Sequence, residues 1–199
     1  MLQPFGFRMG HKTNLKMTEE AALIKKCIRQ EKEAQKILFE RYAPVLLGIC
    51  RRYVPNTAEA EDILQDGFVK IFLNLKAFQG KGSLQNWMKK VMVNTAITYY
   101  HKNYKHRFHK EIGEAQDNVM PGNELPDMDF TRTELLEVID ALPEGYRMVF
   151  NLYAIEGYKH REIAEILKID VNTSKSQYSR AKKSIRDQLE RISKRKIQR

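Results

Sequence analysis

Residues 159–189 read KHREIAEILKIDVNTSKSQYSRAKKSIRDQL, and this stretch decides the fold of the chain's carboxyl-terminal part. A short helix places Ile163, Ala164 and Leu167 inward, and a turn follows over residues 169–172. The next helix repeats apolar residues at heptad-like spacing, with the expected inward face formed by Val171, Tyr178, Ala181, Ile185 and Leu189. Two helices joined by such a turn predict a helix-turn-helix unit.

The opposite face of the second helix carries polar and basic side chains: Thr173, Lys175, Ser176, Gln177 and Arg180. Such side chains reach base edges and phosphates when the helix lies in the major groove. Residues 173–199 hold ten Lys or Arg against two acids. The alternative is a solvated basic helix with ordinary packing. The turn, the apolar stripe and the polar face agree with one another, and this favours DNA binding.

Helical periodicity also runs from residue 18 to about 104. Thr18 is the expected cap of the first helix. The second, with a kink expected at Pro44, has one apolar face formed by Ile37, Leu38, Tyr42, Val45, Leu46 and Ile49. The third begins after Asn56, and a Gly-rich loop over residues 78–83 separates it from a fourth around Trp87. No β-type alternation is present, so the fold class is all-α.

The composition divides these helices into two domains. Residues 111–130 contain six acids, two prolines and no Lys or Arg, which predicts a flexible acidic linker. The expected organisation is a basic, disordered extension over 1–17, a helical domain over 18–110, the linker, and a second domain over 131–199.

Charge and cysteine content narrow the classes of function. The 199-residue chain has a formal net charge of +10, which favours a polyanionic partner. Cys27 and Cys50 lack neighbours at metal-ligand spacing, so we interpret them as buried packing thiols in a reducing compartment and expect no metal or other cofactor. No segment is apolar enough for membrane insertion, and residues 1–17 lack the apolar segment of a signal peptide. The expected location is cytoplasmic.

Two neighbouring helices of the first domain carry opposite charge. The third exposes Glu59, Glu61, Asp62, Gln65 and Asp66. Acids in a first turn stabilise a helix, which explains Glu59 and Glu61 better than Asp66, so this face is a candidate protein-docking surface. Residues 81–110 hold seven Lys or Arg, three histidines and no acid, interleaved with aromatic residues. Basic and aromatic groups together are typical of surfaces that bind opened DNA, although Trp87 lies on the apolar stripe.

These stretches resemble the sigma-70 family of bacterial RNA polymerase sigma factors, in its extracytoplasmic-function (ECF) group. Residues 60–68, AEDILQDGF, resemble the second-region motif that docks on the clamp helices of the largest polymerase subunit. The resemblance implies that Asp62, Gln65 and Asp66 bind core RNA polymerase. Residues 87–96 resemble the helix that melts and reads the minus-ten element, and residues 78–83 the loop that holds a flipped base. The implied minus-ten contacts are Phe78, Gln79, Lys81, Ser83, Lys89, Lys90 and Asn94.

The second domain resembles the family's fourth region, a winged-helix-like helix-turn-helix that reads the minus-thirty-five element. The implied contacts are Thr173, Lys175, Ser176, Gln177, Ser179 and Arg180. Ser174 stands where the family usually packs an apolar residue, and Lys168 replaces a usual turn glycine. The implied partners are core polymerase, including the flap of its second-largest subunit, promoter DNA as duplex and as melted non-template strand, and an anti-sigma factor.

The resemblance predicts a non-catalytic initiation subunit, and two other classes of function compete with it. An autonomous helix-turn-helix regulator would use the second domain alone, leaving the acidic face and the basic aromatic helix unexplained. A nucleic-acid-processing enzyme would need metal ligands such as Asp127 and Asp129. These lie in the expected linker, which cannot preorganise a catalytic site.

Overall fold

Helices account for nearly all of the chain that the computed structural model describes, residues 11–104 and 130–197, and no strand occurs within these ranges. The first group comprises α1 (His11–Ile28), α2 (Lys32–Tyr53), α3 (Thr57–Asn74), a 3-10 turn (Leu75–Ala77) and α4 (Leu84–Tyr104). The second comprises α5 (Arg132–Asp140), α6 (Glu144–Phe150), a π-helical turn (Asn151–Ile155), α7 (His160–Leu167) and α8 (Val171–Ile197). The all-α prediction is confirmed. Residues 130–197 contain no strand, so this part is a helix-turn-helix without a wing.

The first helix begins earlier than the sequence predicted. It starts at His11, so Thr18 lies inside it and is not its cap. No proline or glycine interrupts residues 11–28, and the helix therefore continues upstream of Thr18. The remainder of the expected basic extension, residues 1–10, lies outside the described residues. So does most of the expected acidic linker, with residues 105–129, including Asp127 and Asp129.

Local capping explains where several other helices begin. Asn56 Oδ1 accepts from the backbone N–H of Ala58 at 2.9 Å and of Glu59 at 3.3 Å, which fixes the start of α3. Thr131 and Glu134 form a reciprocal capping box at the start of α5. The helix α5 therefore begins directly after Thr131.

Helices α2, α3 and α4 pack together in the first group. Their buried side chains include Leu38, Leu46, Ile63, Ile71, Met88 and Met92, all 0% exposed. Fully burying an aliphatic side chain of this size contributes about 1.5–3 kcal/mol. Ile37 and Val45 are each 45% exposed, so their prediction as buried members of the α2 face is wrong. They flank Leu38 and Leu46 along the chain, and a helix face is too narrow to bury both neighbours.

Gly67 allows α3 and α4 to cross closely. A Cβ atom on Gly67 would stand 2.5 Å from Sδ of Met92, a buried residue of α4. The same crossing is joined by Lys70, whose Nζ donates to Thr95 Oγ1 at 3.3 Å. These contacts determine which side of α4 faces α3 and which side faces away from it.

Both cysteines are buried free thiols, as the sequence predicted. Burial raises the pKa of Cys50 to about 12, and burial followed by the Glu31 carboxylate raises that of Cys27. Neither thiol is an accessible nucleophile in this fold.

The two helical groups share one continuous hydrophobic interior. Tyr53 and Val54, at the end of α2, belong to the same buried cluster as Met148 and Leu152 of the second group. Contacts also join α4 to α7. The division into two domains stays a prediction, and the interiors of the two helix groups meet at the end of α2.

Candidate nucleic-acid interface and docking surface

The predicted docking residues lie together on the outward face of α3. Asp62, Gln65 and Asp66 are exposed, whereas Ile63 and Leu64 between them are buried. The 3.6-residue period of the helix separates these two faces. An acidic outward face on a chain of net charge +10 is a local reversal of sign. It disfavours DNA at this surface and suits a basic protein surface.

Two exposed apolar side chains continue this outward face. The sequence motifs did not indicate a functional role for either of them. Val69 is 57% exposed and Leu73 is 75% exposed, one and two turns beyond Gln65 and Asp66. Their position in the helical period could have identified them, because both are apolar and neither lies on the buried face of α3.

The loop between the 3-10 turn and α4 is shaped by two glycines. Gly80 has φ +70° and Gly82 has φ +91°, in the left-handed region that glycine adopts without steric cost. Between and beside them the side chains of Gln79, Lys81 and Ser83 are exposed. The loop thus presents polar side chains on a tightly curved backbone.

The two aromatic residues at this loop pack against each other. Phe78 is half-buried, and its ring centroid lies 5.8 Å from that of Trp87. Both pack against the hydrophobic interior. Trp87 therefore anchors the loop to α4, in agreement with its place on the predicted apolar stripe.

Helix α4 presents part of its predicted reading face to solvent. Lys90 and Asn94, one turn apart, are exposed, and Lys89 is half-buried. Asp62 lies close enough to α4 that its carboxylate, after burial and Glu59, raises the pKa of Tyr99. One of the three histidines of this basic segment, His101, is not a free surface side chain, because its Nε2 lies 2.7 Å from the carbonyl oxygen of Ile166 in α7. His106 and His109 lie outside the described residues.

The turn of the helix-turn-helix has its expected geometry despite Lys168. This residue adopts φ +57° and ψ +48°, the left-handed conformation in which a glycine would be unstrained. Asp170 follows and caps α8, since its Oδ1 accepts from Asn172 N at 2.7 Å. The departure noted at Lys168 therefore adds backbone strain without changing the path of the chain.

A polar contact replaces the usual apolar one between α7 and α8. Ser174 is fully buried, and its Oγ lies 2.9 Å from His160 Nδ1. The His160 ring also stacks on Tyr153, with centroids 4.3 Å apart and planes at 17°. Burial and then Lys175 lower the pKa of His160, which favours the neutral ring.

The recognition face of α8 has one member fewer than the sequence predicted. Thr173, Ser176, Ser179 and Arg180 are partly exposed and Lys175 is exposed. Gln177 is 6% exposed, so its expected outward position is wrong. It lies in the inward register with Ser174 and Ala181, three residues after the first and four before the second. The buried face of α8 is therefore centred on Ser174, Gln177 and Ala181. Beside it, Val171, Tyr178 and Ile185 are only half-buried.

The described residues offer no site for a metal ion and no membrane-crossing helix. No group of three His, Cys, Asp or Glu side chains comes together in residues 11–104 or 130–197. Within the same ranges no helix combines the length and apolar character that a bilayer span requires.

Comparisons with known proteins place both helical groups in one family. Residues 38–106 match the family described as Sigma-70 region 2, and residues 132–185 match Sigma-70, region 4. The ECF RNA polymerase sigma-E factor of Haemophilus influenzae is 27% identical over 181 residues, covering 86% of this chain and 95% of that protein. The RNA polymerase sigma-H factor of Pseudomonas aeruginosa is 25% identical, covering 86% and 94%.

Among solved structures, the sigma factor RpoE in complex with the anti-sigma factor NepR from Bartonella quintana is similar with a TM-score of 0.46 and 19% identity. The match covers 78% of this chain and 96% of that one.

The two family matches cover more than half of the chain, in the order and places that the sequence motifs predicted. The chain belongs to the sigma-70 family of bacterial RNA polymerase sigma factors, in its ECF group. It binds core RNA polymerase and directs promoter-specific initiation of transcription. Members of this family are promoter-reading subunits and not enzymes. No finding supports an autonomous regulator.

Proposed function

We propose that the exposed acidic face of α3 carries the chain's attachment to core polymerase, with Asp62, Gln65 and Asp66 as contact residues. The supporting observation is that all three are exposed on one helix face of an otherwise basic protein. Exposed carboxylates steer association with a basic partner and fix its register. Val69 and Leu73 extend this face with apolar area, which contributes affinity when it is removed from water.

We propose that the opened minus-ten strand binds along the loop before α4 and the exposed side of that helix. The contact residues are Phe78, Gln79, Lys81, Ser83, Lys89, Lys90 and Asn94. The lysines neutralise phosphates, and the glycine-shaped loop receives one extruded base. Phe78 acts chiefly by holding the loop, because its ring packs on Trp87.

We propose that α8 reads the minus-thirty-five element as duplex DNA. Lys175 and Arg180 contact phosphates or guanine edges. The shorter side chains of Thr173, Ser176 and Ser179 form hydrogen bonds to the DNA. Gln177 is left out of this contact set because it is buried. The tight turn at Lys168 and the Ser174–His160 contact hold this helix at a fixed angle.

The family assignment supports three further proposals. The chain acts in the cytoplasm alongside RNA polymerase, and it performs no catalysis of its own. An anti-sigma factor is its proposed inhibitory partner.

The docking proposal is tested by measuring affinity for purified core polymerase. Asp62→Ala with Asp66→Ala should weaken binding by about tenfold or more, equivalent to ~1.4 kcal/mol, because two charges are lost from one contact surface. Glu61→Ala is the matched control, since it removes an exposed carboxylate of the same helix turn outside the proposed contact set. Binding of duplex DNA by the double variant should be unchanged. Equal core affinities for the double variant and wild type would contradict the assignment.

A further inference from the structure

Ser174 joins the first turn of α8 to the start of α7. It lies between Thr173 and Lys175, two of the proposed contact residues, and its side chain is fully buried. Its Oγ lies 2.9 Å from Nδ1 of His160, the first residue of α7. The amino-terminal residues of a recognition helix are the ones that reach base edges. A contact that fixes Ser174 therefore also fixes side chains proposed to read the DNA.

The His160 ring is itself held by two aromatic side chains. Tyr153 stacks on it, with centroids 4.3 Å apart and planes at 17°. Tyr178 of α8 meets it edge-on, with centroids 5.8 Å apart and planes at 61°. The two tyrosine rings also lie 4.4 Å from each other. Aromatic pairs in such geometries attract each other beyond simple burial, so the ring and α8 are held in one relative position.

A hydrogen bond controls the angle of α8 more strictly than an apolar contact at the same place. The hydrophobic effect has no direction, whereas a hydrogen bond weakens steeply as its angle departs from linearity. A buried hydroxyl without a partner is also costly, so Ser174 depends on the position of His160. The pair thus gives this chain a directional contact where the resemblance to the family leads us to expect apolar packing.

The charged surroundings of His160 are mostly basic. The titratable and charged groups nearest to it along the chain and around its ring contacts are Tyr153, Arg161, Glu162, Lys175, Tyr178 and Lys182. The Glu162 carboxylate is engaged at the start of α7, where its Oε2 accepts from Lys159 N at 2.7 Å. Burial and then Lys175 lower the pKa of His160, and burial and then Tyr153 raise that of Tyr178. Lys175 is therefore the charged side chain that acts on His160 in the free protein.

A DNA phosphate at Lys175 reverses this effect. It neutralises the ammonium group and adds negative potential beside the ring, and both changes favour the imidazolium form of His160. The Ser174 hydroxyl can donate to a neutral Nδ1 and accept from a protonated one, so their contact persists in both states. The pKa of His160 is then higher in the DNA complex than in the free chain. DNA is consequently bound more tightly as pH falls through the interval between these two pKa values.

We propose that His160 is a positioning residue for promoter reading, which fixes the first turn of α8 through Ser174 and takes up a proton when Lys175 meets a DNA phosphate. This inference rests on the proposed reading of the minus-thirty-five element by α8. It predicts that affinity for this element depends on pH through a residue outside the DNA contact set.

The test measures the affinity of the holoenzyme, formed from core polymerase and the full chain, for a duplex carrying the minus-thirty-five region of a promoter mapped by transcription in vitro. His160→Asn places an amide near the position of Nδ1 and removes the titrating proton. Ser174→Ala removes the hydrogen bond and keeps the imidazole. Ser184→Ala is the matched control for a lost hydroxyl of α8, since Ser184 Oγ accepts from Gln188 Nε2 at 3.2 Å and lies outside the contact set. Circular dichroism checks that each variant is folded at each pH.

Wild type should bind about two- to five-fold more tightly at about pH 6 than at about pH 7.5, since one coupled proton gives at most about tenfold per pH unit. His160→Asn should match wild type at the higher pH and lose the pH dependence. Ser174→Ala should bind about two- to ten-fold more weakly at both values, the range that one hydrogen bond provides, and Ser184→Ala should behave as wild type.

Two results would overturn the inference. The same pH profile for wild type and His160→Asn removes the proton coupling, and wild-type affinity of Ser174→Ala removes the positioning role. A wild-type holoenzyme that binds this duplex no better than a scrambled one would instead contradict the proposed reading of the minus-thirty-five element by α8.

Discussion

The hydrogen bond between Ser174 and His160 gives a measurable prediction about the helix-turn-helix. Ser174→Ala removes the oxygen 2.9 Å from His160 Nδ1 at a fully buried position. A hydrogen bond of this kind contributes about 0.5–1.5 kcal/mol net. Loss of one hydroxyl oxygen leaves little empty volume, so the cavity cost of larger truncations does not apply. We expect the free energy of unfolding to fall by about 1 kcal/mol.

Urea unfolding followed by circular dichroism measures this loss, with Ser179→Ala as the control. Ser179 lies on the same helix, is half-buried, and faces away from α7 in the helix register. For a chain of this size, 1 kcal/mol corresponds to a melting temperature about 2–4 °C lower. If Ser174→Ala unfolds at the same urea concentration as Ser179→Ala, the contact does not stabilise the unit and our account of it is wrong.

Burial of His160 also makes stability depend on pH. Burial and Lys175 lower the pKa of His160 from its ordinary value of 6.5. Between the lowered and the ordinary pKa the unfolded chain therefore binds more protons than the folded chain. The stability associated with neutral His160 is fully present above about pH 6.5 and is lost as pH falls through the lowered pKa. His160→Gln should reduce this loss of stability as the pH falls. Equal slopes of the free energy of unfolding against pH for wild type and His160→Gln would contradict the role given to His160.

Two glycines provide further predictions. Gly82→Ala should reduce opening of the minus-ten DNA, measured by permanganate reactivity, because φ +91° is strained for alanine. Binding to the minus-thirty-five duplex should persist. Undiminished opening would refute the role of the loop. Gly67→Ala should destabilise the chain by about 1–3 kcal/mol through contact with Met92. Adding Met92→Ala to that variant should cost less than Met92→Ala alone, and simple additivity in thermal unfolding would argue against the close crossing.

Local rules predicted the parts of this fold that depend on short segments. Asn56 caps a helix where the sequence placed it, because capping involves only neighbouring residues. The outward face of α3 followed from helical period alone. Such features need no knowledge of the partner segment.

The inward face of α8 was misjudged because its buried positions are polar. Ser174 and Gln177 point inward, and apolar periodicity cannot identify such residues. Their burial depends on a partner such as His160, fourteen residues away from Ser174. The outward prediction for Gln177 failed for this reason.

The sequence could not predict the contacts between the two helical groups. Arg147 and Asn151 cap a helix that ends about a hundred residues earlier, and no periodicity links such distant positions. His101 likewise reads as a surface histidine in a basic segment until α7 is placed beside it. Contacts of this kind depend on tertiary packing, which overrides local pattern.

The central claim is that this chain gives core polymerase a promoter specificity through its two helical surfaces. It is tested most directly by transcription in vitro with purified core polymerase on fragmented DNA from the source organism, with and without the full chain. Our account predicts discrete transcripts that appear only when the chain is added and vanish with Asp62→Ala/Asp66→Ala. Absence of such transcripts and of core binding, with duplex DNA still bound, would contradict it.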